Sequence, residues 1–358
     1  MYRFLFCLLL IGCVLSVTLH HEVIAMPTDT VFRDMQKALK KPQEVKRLHL
    51  ANCQEGLPVK RFDELTNLEE LTIRKCPQLN LDTLAHYTGG LSKLDHLALE
   101  DSDYKYLPAN IDTLANLQTL SLRSNKLRRL PDSIVLLDNI EELDLHANNY
   151  LSLVLPGTME QLSALPKLRT LDMGFSQIES IPSTISSLTN LQTLDLSGNL
   201  LKNLPPSLSE LKELRTLNIS RNINLPMDST FRFLADLPKL KKLKVRSCEL
   251  TELPQNVGQL QQLQHLDLKG NILKSLPSSI GNLGELRHLN LGYGVLNERM
   301  NQIPKLPSSM GNLTELRWLN LAALAFSPRF PGWRQRDGVA SSIKAGQKPH
   351  CGYSFMDR

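Results

Sequence analysis

"LQTLDLSGNLLKNLPPSLSELKE", residues 191–213, is followed at once by "LRTLNISRN", residues 214–222, which opens the same way. Leu194 and Leu196 alternate with Asp195 and Ser197, the period of two expected of a strand with one buried face. Leu191, Leu201, Leu204, Leu208 and Leu211 carry the apolar set onward around a coil, and Pro205 marks the return, where its missing N–H costs no ladder hydrogen bond. One such phrase cannot bury its own leucines. Copies stacked in parallel share a continuous core.

The pattern L-x-x-L-x-L recurs twelve times, starting at Val45, Leu68, Leu94, Leu117, Ile140, Leu168, Leu191, Leu214, Leu240, Leu263, Leu286 and Leu316. The spacings run 23, 26, 23, 23, 28, 23, 23, 26, 23, 23 and 30, within the range of a solenoid repeat. Over about 280 of the 358 residues the chain resembles the leucine-rich repeat family, with its consensus L-x-x-L-x-L-x-x-N/C-x-L-x-x-L-P-x-x-I-x-x-L-x-x. The resemblance implies an α/β solenoid, a curved horseshoe of about twelve repeats, with a parallel β-sheet on the concave side and short helices and turns on the convex side. Asparagines at the ninth place (Asn125, Asn148, Asn199, Asn222 and Asn271) are expected to satisfy buried backbone groups at the corner of each coil.

A longer period overlies the first, because the second, fifth, eighth and eleventh repeats are the long ones. The repeat after each of the first three long ones replaces the ladder asparagine, by Ser102, Ser176 or Cys248, which points to a duplicated triplet. The extra residues, such as 155–167 and 227–239, read as short convex helices. Before the repeats, "DTVFRDMQKALK" (29–40) carries Val31, Phe32, Met35, Ala38 and Leu39 at helical spacing, and is read as a helix within residues 26–44 that caps the core. "ALKKPQEVKRLHL" (38–50) resembles the lead-in of bacterial exported members of the family. The repeat domain spans 45–321, and 322–358 is read as a basic, poorly ordered tail.

The segment 1–25 holds one basic residue, Arg3, an apolar run from Phe4 to Val17 and a polar stretch ending at Ala25, the layout of a secretory signal. The run is shorter than the roughly 20 residues that span a bilayer. Cleavage after Ala25 is one reading; "LIGC" (10–13) resembles the bacterial lipobox and would make Cys13 a lipidation site. Either implies a secreted or cell-envelope protein that meets the membrane only through its signal or a lipid. Cys53 and Cys76 fall on the same ladder place of adjacent rungs, within disulfide reach, and are read here as free buried thiols with pairing as the alternative.

The formal charge of +5 gives little support to nucleic-acid binding, since residues 322–358 hold six Lys/Arg against two Asp/Glu and account for +4 of it. Catalysis has no better footing. His146 is expected near Asp144 and Asp172, but no nucleophile with an oxyanion hole, P-loop or H-E-x-x-H motif accompanies it. No enzyme activity, cofactor or metal is expected.

Function is therefore sought on the outward strand positions, the third, fifth and seventh of each repeat. Asp172, Asp195 and Asn218 follow the family's ordinary filling of such places, as do Asp267 and Asp144. Departures from it are Glu142 with His146, Phe175 beside the face, the triple Lys242, Lys244 and Arg246, Tyr293 and Trp318; Lys269 and His288 are counted with them among the partner-binding residues. Between them lie the small side chains of Thr170, Gly174, Thr193, Ser197, Thr216 and Ser220. The expected result is a trough across the fifth to tenth repeats, acidic on one wall and cationic on the other, that binds a protein or extended polymer to a monomer. The alternatives are an intracellular signalling scaffold, suggested by resemblance to the Ras-associated group, and a structural envelope protein without a discrete ligand.

Overall fold

The computed structural model describes residues 31–321 apart from 54–56, 151–154 and 293–299. The signal segment, Cys13, Tyr293 and the tail after residue 321 lie outside the described residues. Thirteen parallel strands form one sheet in strict chain order. They are β1 (Val31–Phe32), β2 (Arg47–Ala51), β3 (Glu70–Arg74), β4 (His96–Glu100), β5 (Thr119–Ser121), β6 (Glu142–Asp144) and β7 (Thr170–Asp172). There follow β8 (Thr193–Asp195), β9 (Thr216–Asn218), β10 (Lys242–Lys244), β11 (His265–Asp267), β12 (His288–Asn290) and β13 (Trp318–Asn320).

The register follows from the leucines. Leu171, Leu194 and Leu217 stand opposite one another on β7, β8 and β9, all without solvent exposure. A slip by one residue would turn every one of them outward, which fixes the pairing. Each fully buried leucine contributes about 2 kcal/mol. Leu201, Leu204, Leu208 and Leu211 close the coil behind them and join the same core. This is the leucine-rich repeat solenoid that the spacing predicts.

The long repeats carry the helices. They are α2 (Leu81–Thr88), α3 (Leu155–Ser163) and α4 (Met227–Leu234), in the second, fifth and eighth repeats, following the short α1 (Met35–Ala38). Apolar side chains recur with helical spacing in α4, where Met227, Phe231 and Leu234 are buried, and Asn80 caps α2 by accepting the Thr83 N–H at 2.7 Å. Where no residues are added, a single 3₁₀ turn follows a proline, as Pro206–Glu210 follows Pro205. Proline thus opens the return segment, its fixed φ suiting the step into the turn.

The asparagine ladder is in place and reaches further than the ninth places of the repeat pattern. Asn148 is fully buried, donates to the carbonyls of Leu122 and Leu145, and accepts the Leu127 N–H. Asn301, unmarked by the repeat pattern, does the same for the carbonyls of Leu268 and Leu291 and the N–H of Leu273, closing the ladder beyond the extra residues of the eleventh repeat. The triplet period also appears in the backbone. In the three repeats with Ser102, Ser176 or Cys248, the tenth residue (Asp103, Gln177 or Glu249) adopts a positive φ. The next asparagine then accepts two N–H groups, as Asn199 accepts those of Ser176 and Ile178 at 3.0 Å each.

Two expectations are corrected. Val31 and Phe32 pair with Arg47 and Leu48 as a strand, and the helix begins only at Met35, capped by Asp34, whose carboxylate accepts the Lys37 N–H at 2.9 Å. A β-branched and an aromatic residue favour the sheet edge, and the Asp cap that follows keeps them from joining the helix. Cys53 and Cys76 are joined in a disulfide rather than free, their Cα atoms 4.8 Å apart, as stacked ladder positions on adjacent rungs require. Cys248, without such a neighbour, is a free buried thiol, and burial pushes its pKa up to about 11.

Candidate functional site: the open face of the sheet

Parallel pairing lays the outward side chains in columns. Thr170, Thr193, Thr216, Lys242, His265, His288 and Trp318 share one; Asp144, Asp172, Asp195, Asn218, Lys244 and Asp267 share the next. The sequence places them there through the alternation with leucine, and the strands keep them there.

The acidic wall is less acidic than its composition. Arg123, absent from the predicted site, reaches across two rungs: its guanidinium lies 2.8 Å from Asp144 and 3.3 Å from Asp172. His146 Nδ1 stands 3.3 Å from the other Asp172 oxygen, which also accepts the Gly174 N–H at 2.8 Å. Burial raises the pKa of Asp144, beyond what the His146 N–H and Arg123 return. Burial acts the same way on Asp172, but the hydrogen bonds from His146 and Gly174 and the charges of His146 and Arg123 hold its carboxyl below the usual range. Glu142 is exposed and has no ion pair among the described residues. The remaining members form a closed network.

The floor of the trough is polar and internally bonded. Asp195 accepts the Ser197 N–H at 2.9 Å and the Asn218 amide at 2.6 Å. Phe175 rises at its edge. The ring lies 5.0 Å from that of His146, centroid to centroid, and the Arg221 guanidinium carbon stands 5.9 Å from its centre. Phe175 occupies the eighth place of its repeat, where the backbone of every described copy is left-handed; its φ is +52°. Gly198, the eighth residue of the next repeat, gives the ring its space, since a Cβ there would stand 2.7 Å from it.

The cationic wall behaves differently. Arg246 is engaged by Asp267, but Lys242, Lys244 and Lys269 have no carboxylate partner among the described residues. Beyond it, His265 and His288 stack at 4.2 Å, with Trp318 6.2 Å from His288. Both imidazole pKa values are lowered, first by burial and then by nearby positive charge: His288 and Lys242 for His265, Arg287 and Arg317 for His288. A recess of about 230 Å³ lies between Phe175 and the cationic wall, lined by Arg221, Arg246 and Lys269 and by serine hydroxyls. Among the described residues no cluster of His, Cys, Asp or Glu could hold a metal ion, and no helix is long and apolar enough to cross a membrane.

The sequence profile described as "Leucine-rich repeat region" matches residues 153–232 and 227–330, and that described as "Leucine Rich Repeat" matches 116–137. The chain belongs to the leucine-rich repeat family. No curated protein matches it closely enough to count as a relative. Among solved structures it is similar to a leucine-rich repeat protein of Leptospira interrogans, at 25% identity and a TM-score of 0.52, covering 81% of this chain and 87% of that one. It is also similar to an internalin of Listeria monocytogenes, at 19% identity and a TM-score of 0.52 over 81% and 84% of the two chains. A third match is to the Toll–Spätzle complex of Drosophila, at 23% identity and a TM-score of 0.61, covering 80% of this chain but 42% of that one. The last two likenesses are of fold.

Proposed function

We propose that this chain is an exported, non-enzymatic recognition module that binds a protein partner, or an extended polymer, on the open face of the sheet between the fifth and tenth repeats. One observation carries the reading. On the sheet face of the first six repeats charges pair across rungs, Arg74 with Glu100 and Arg123 with Asp144 among them and Glu142 excepted, whereas Lys242, Lys244 and Lys269 stand together without ion-pair partners among the described residues, beside small side chains. Uncompensated charge at the wall of a rigid groove steers and selects a complementary surface. The family is typically one of non-enzymatic recognition modules, and the Toll chain is seen in complex with Spätzle.

Reversing the wall with Lys242→Glu, Lys244→Glu and Arg246→Glu in the full chain tests the reading. Partners captured from the native envelope or medium are expected to fall at least tenfold; unchanged capture of all of them would falsify the assignment. Export is supported by the layout of the segment 1–25 and by the Cys53–Cys76 bond, since disulfides persist in oxidising compartments. Mass spectrometry of the mature N-terminus decides among the routes. A start at Met26 or a diacylglyceryl-modified Cys13 is the expected result, and an intact Met1 favours an intracellular scaffold instead.

A further inference from the structure

We propose that the recess beside Phe175 is the anchor of the interface and takes a carboxylate of the partner, from an Asp or Glu followed or preceded by an apolar residue. The inference rests on the recognition reading above and narrows it to one place and one chemistry.

Three independent features meet there. The first is charge: Arg221, Arg246 and Lys269 line the recess with no carboxylate among the lining residues, Arg246 being paired with Asp267 and Lys269 carrying the open charge. Lys269 has no ion pair among the described residues, and the hydroxyls of Ser220 and Ser247 line the same space, that of Ser197 being donated to Asp195. A volume of about 230 Å³ admits an acidic side chain rather than a whole drug-sized ligand. Charge-assisted hydrogen bonds to a carboxylate are the strong kind, and the Lys269 ammonium supplies the donor.

The second is backbone conformation. Of the ten described copies of the eighth position, two hold glycine, the residue for which a left-handed φ is free, and the others are mostly small or polar. Phe175 is a bulky aromatic held at φ +52°, 41% exposed, with Gly198 making room for the ring. Strain of this kind concentrates at functional sites. A glycine would remove it, at the loss of the ring's contacts with His146 and Arg221.

The third is apolar exposure. The eighth and tenth positions flank the inward-pointing asparagine, so both lie on the rim where the strands end. Leu200 and Ile223, the tenth residues of the seventh and eighth repeats, are 47% and 58% exposed. With Phe175 they give three exposed apolar side chains on consecutive rungs, of which Phe175 lines the recess. A fixed aromatic flanked by a guanidinium, with apolar neighbours that exclude water, has the anatomy of an interface hot spot. The pairing of an acidic group with an apolar one on the partner follows from the pairing of recess and rim.

The test pans a phage-displayed library of random twelve-residue peptides against the full chain and measures the best synthetic peptide against variants. Enriched peptides are expected to place Asp or Glu beside an apolar residue. Affinity is expected to fall at least tenfold when that acid is changed to its amide, in Phe175→Ala, and in Arg221→Glu with Lys269→Glu, but less than threefold in Lys242→Glu with Lys244→Glu. Phe175→Gly guards against misfolding: its melting temperature should match or exceed that of the parent while binding is lost. Peptides without an acidic consensus, or binding indifferent to Phe175→Ala and Lys269→Glu, overturn the anchor. If such peptides still depend on Lys242 and Lys244, the recognition reading stands and this inference alone fails. If no peptide binds, or none responds to any of these variants, both fail.

Discussion

The two walls of the trough are built on the same backbone and differ in where their charges go. On β5 to β7, Arg123, Asp144, His146 and Asp172 satisfy one another across three rungs. On β10 and β11, Arg246 and Asp267 pair, and Lys242, Lys244 and Lys269 are left to solvent. Outward side chains on strands stacked about 4.8 Å apart can be closed off by long neighbours of opposite sign, or left open by like ones. Apart from the exposed Glu142, the first wall is therefore a self-satisfied structural element, and the second is the part of the groove with unused cationic capacity.

The largest effect that separates them is on stability. Asp172→Ala removes the acceptor of the Gly174 N–H and uncouples Asp172 from His146 and Arg123 at a mostly buried position, and is expected to cost about 2 kcal/mol. Lys244→Ala removes a side chain with no ion pair and is expected to cost less than about 0.5 kcal/mol. Urea titration of both variants checks this. Equal losses would mean that the two walls are not different in kind.

A smaller effect sharpens the boundary at Phe175. Gly198→Ala meets two obstacles, a φ of +65° and a Cβ 2.7 Å from the Phe175 ring. In the parent it is expected to cost about 2 kcal/mol, and in a Phe175→Gly background, where only the backbone cost remains, about 1 kcal/mol. Phe175→Gly alone is expected to stabilise by about 0.5 to 1 kcal/mol by releasing a left-handed aromatic. A thermal-melt double-mutant cycle without coupling between positions 175 and 198 would show that the ring does not rest over the glycine.

The leucines made the strands, their register and the outward columns legible, because a period of two admits one buried face and a fixed repeat length stacks like on like. What escaped has physical reasons. The eighth position is left-handed in repeats that place Asn52, Lys75, Ala147, Phe175 or Arg221 there, so the conformation is imposed by the coil and leaves no signature in residue type. Arg123 and Arg221 act through long side chains that reach beyond their own rung, which columns of Cα positions do not reveal. Val31–Phe32 is too short for periodicity to speak, and Asn301 is displaced from the repeat phase by added residues. The cysteines were found in the right place, and their oxidation state is no property of spacing.

The smallest expected effect separates the two ends of the face by pH. Asp172 has a folded pKa below its unfolded value, so its contribution to stability is complete above about pH 4 and is lost as the pH falls through the lower, folded value. Asp144, shifted upward, acts in the opposite sense and offsets part of that loss in acid. His265 and His288 titrate elsewhere. Their folded pKa values are lowered, so the unfolded chain binds more protons just below about pH 6.5, and stability falls as the pH drops from there through the folded values. The pair stacks at 4.2 Å with Lys242, Arg287 and Arg317 as the surrounding cations, so charging both rings is opposed from several sides. The melting temperature of the parent is expected to decline modestly between about pH 7.5 and pH 5.5, and that of His265→Gln with His288→Gln to stay flat over the same interval. A parent curve as flat as the variant's would place the imidazoles in solvent, strip the cationic end of its pH response, and leave acid sensitivity to the carboxylates of the closed wall.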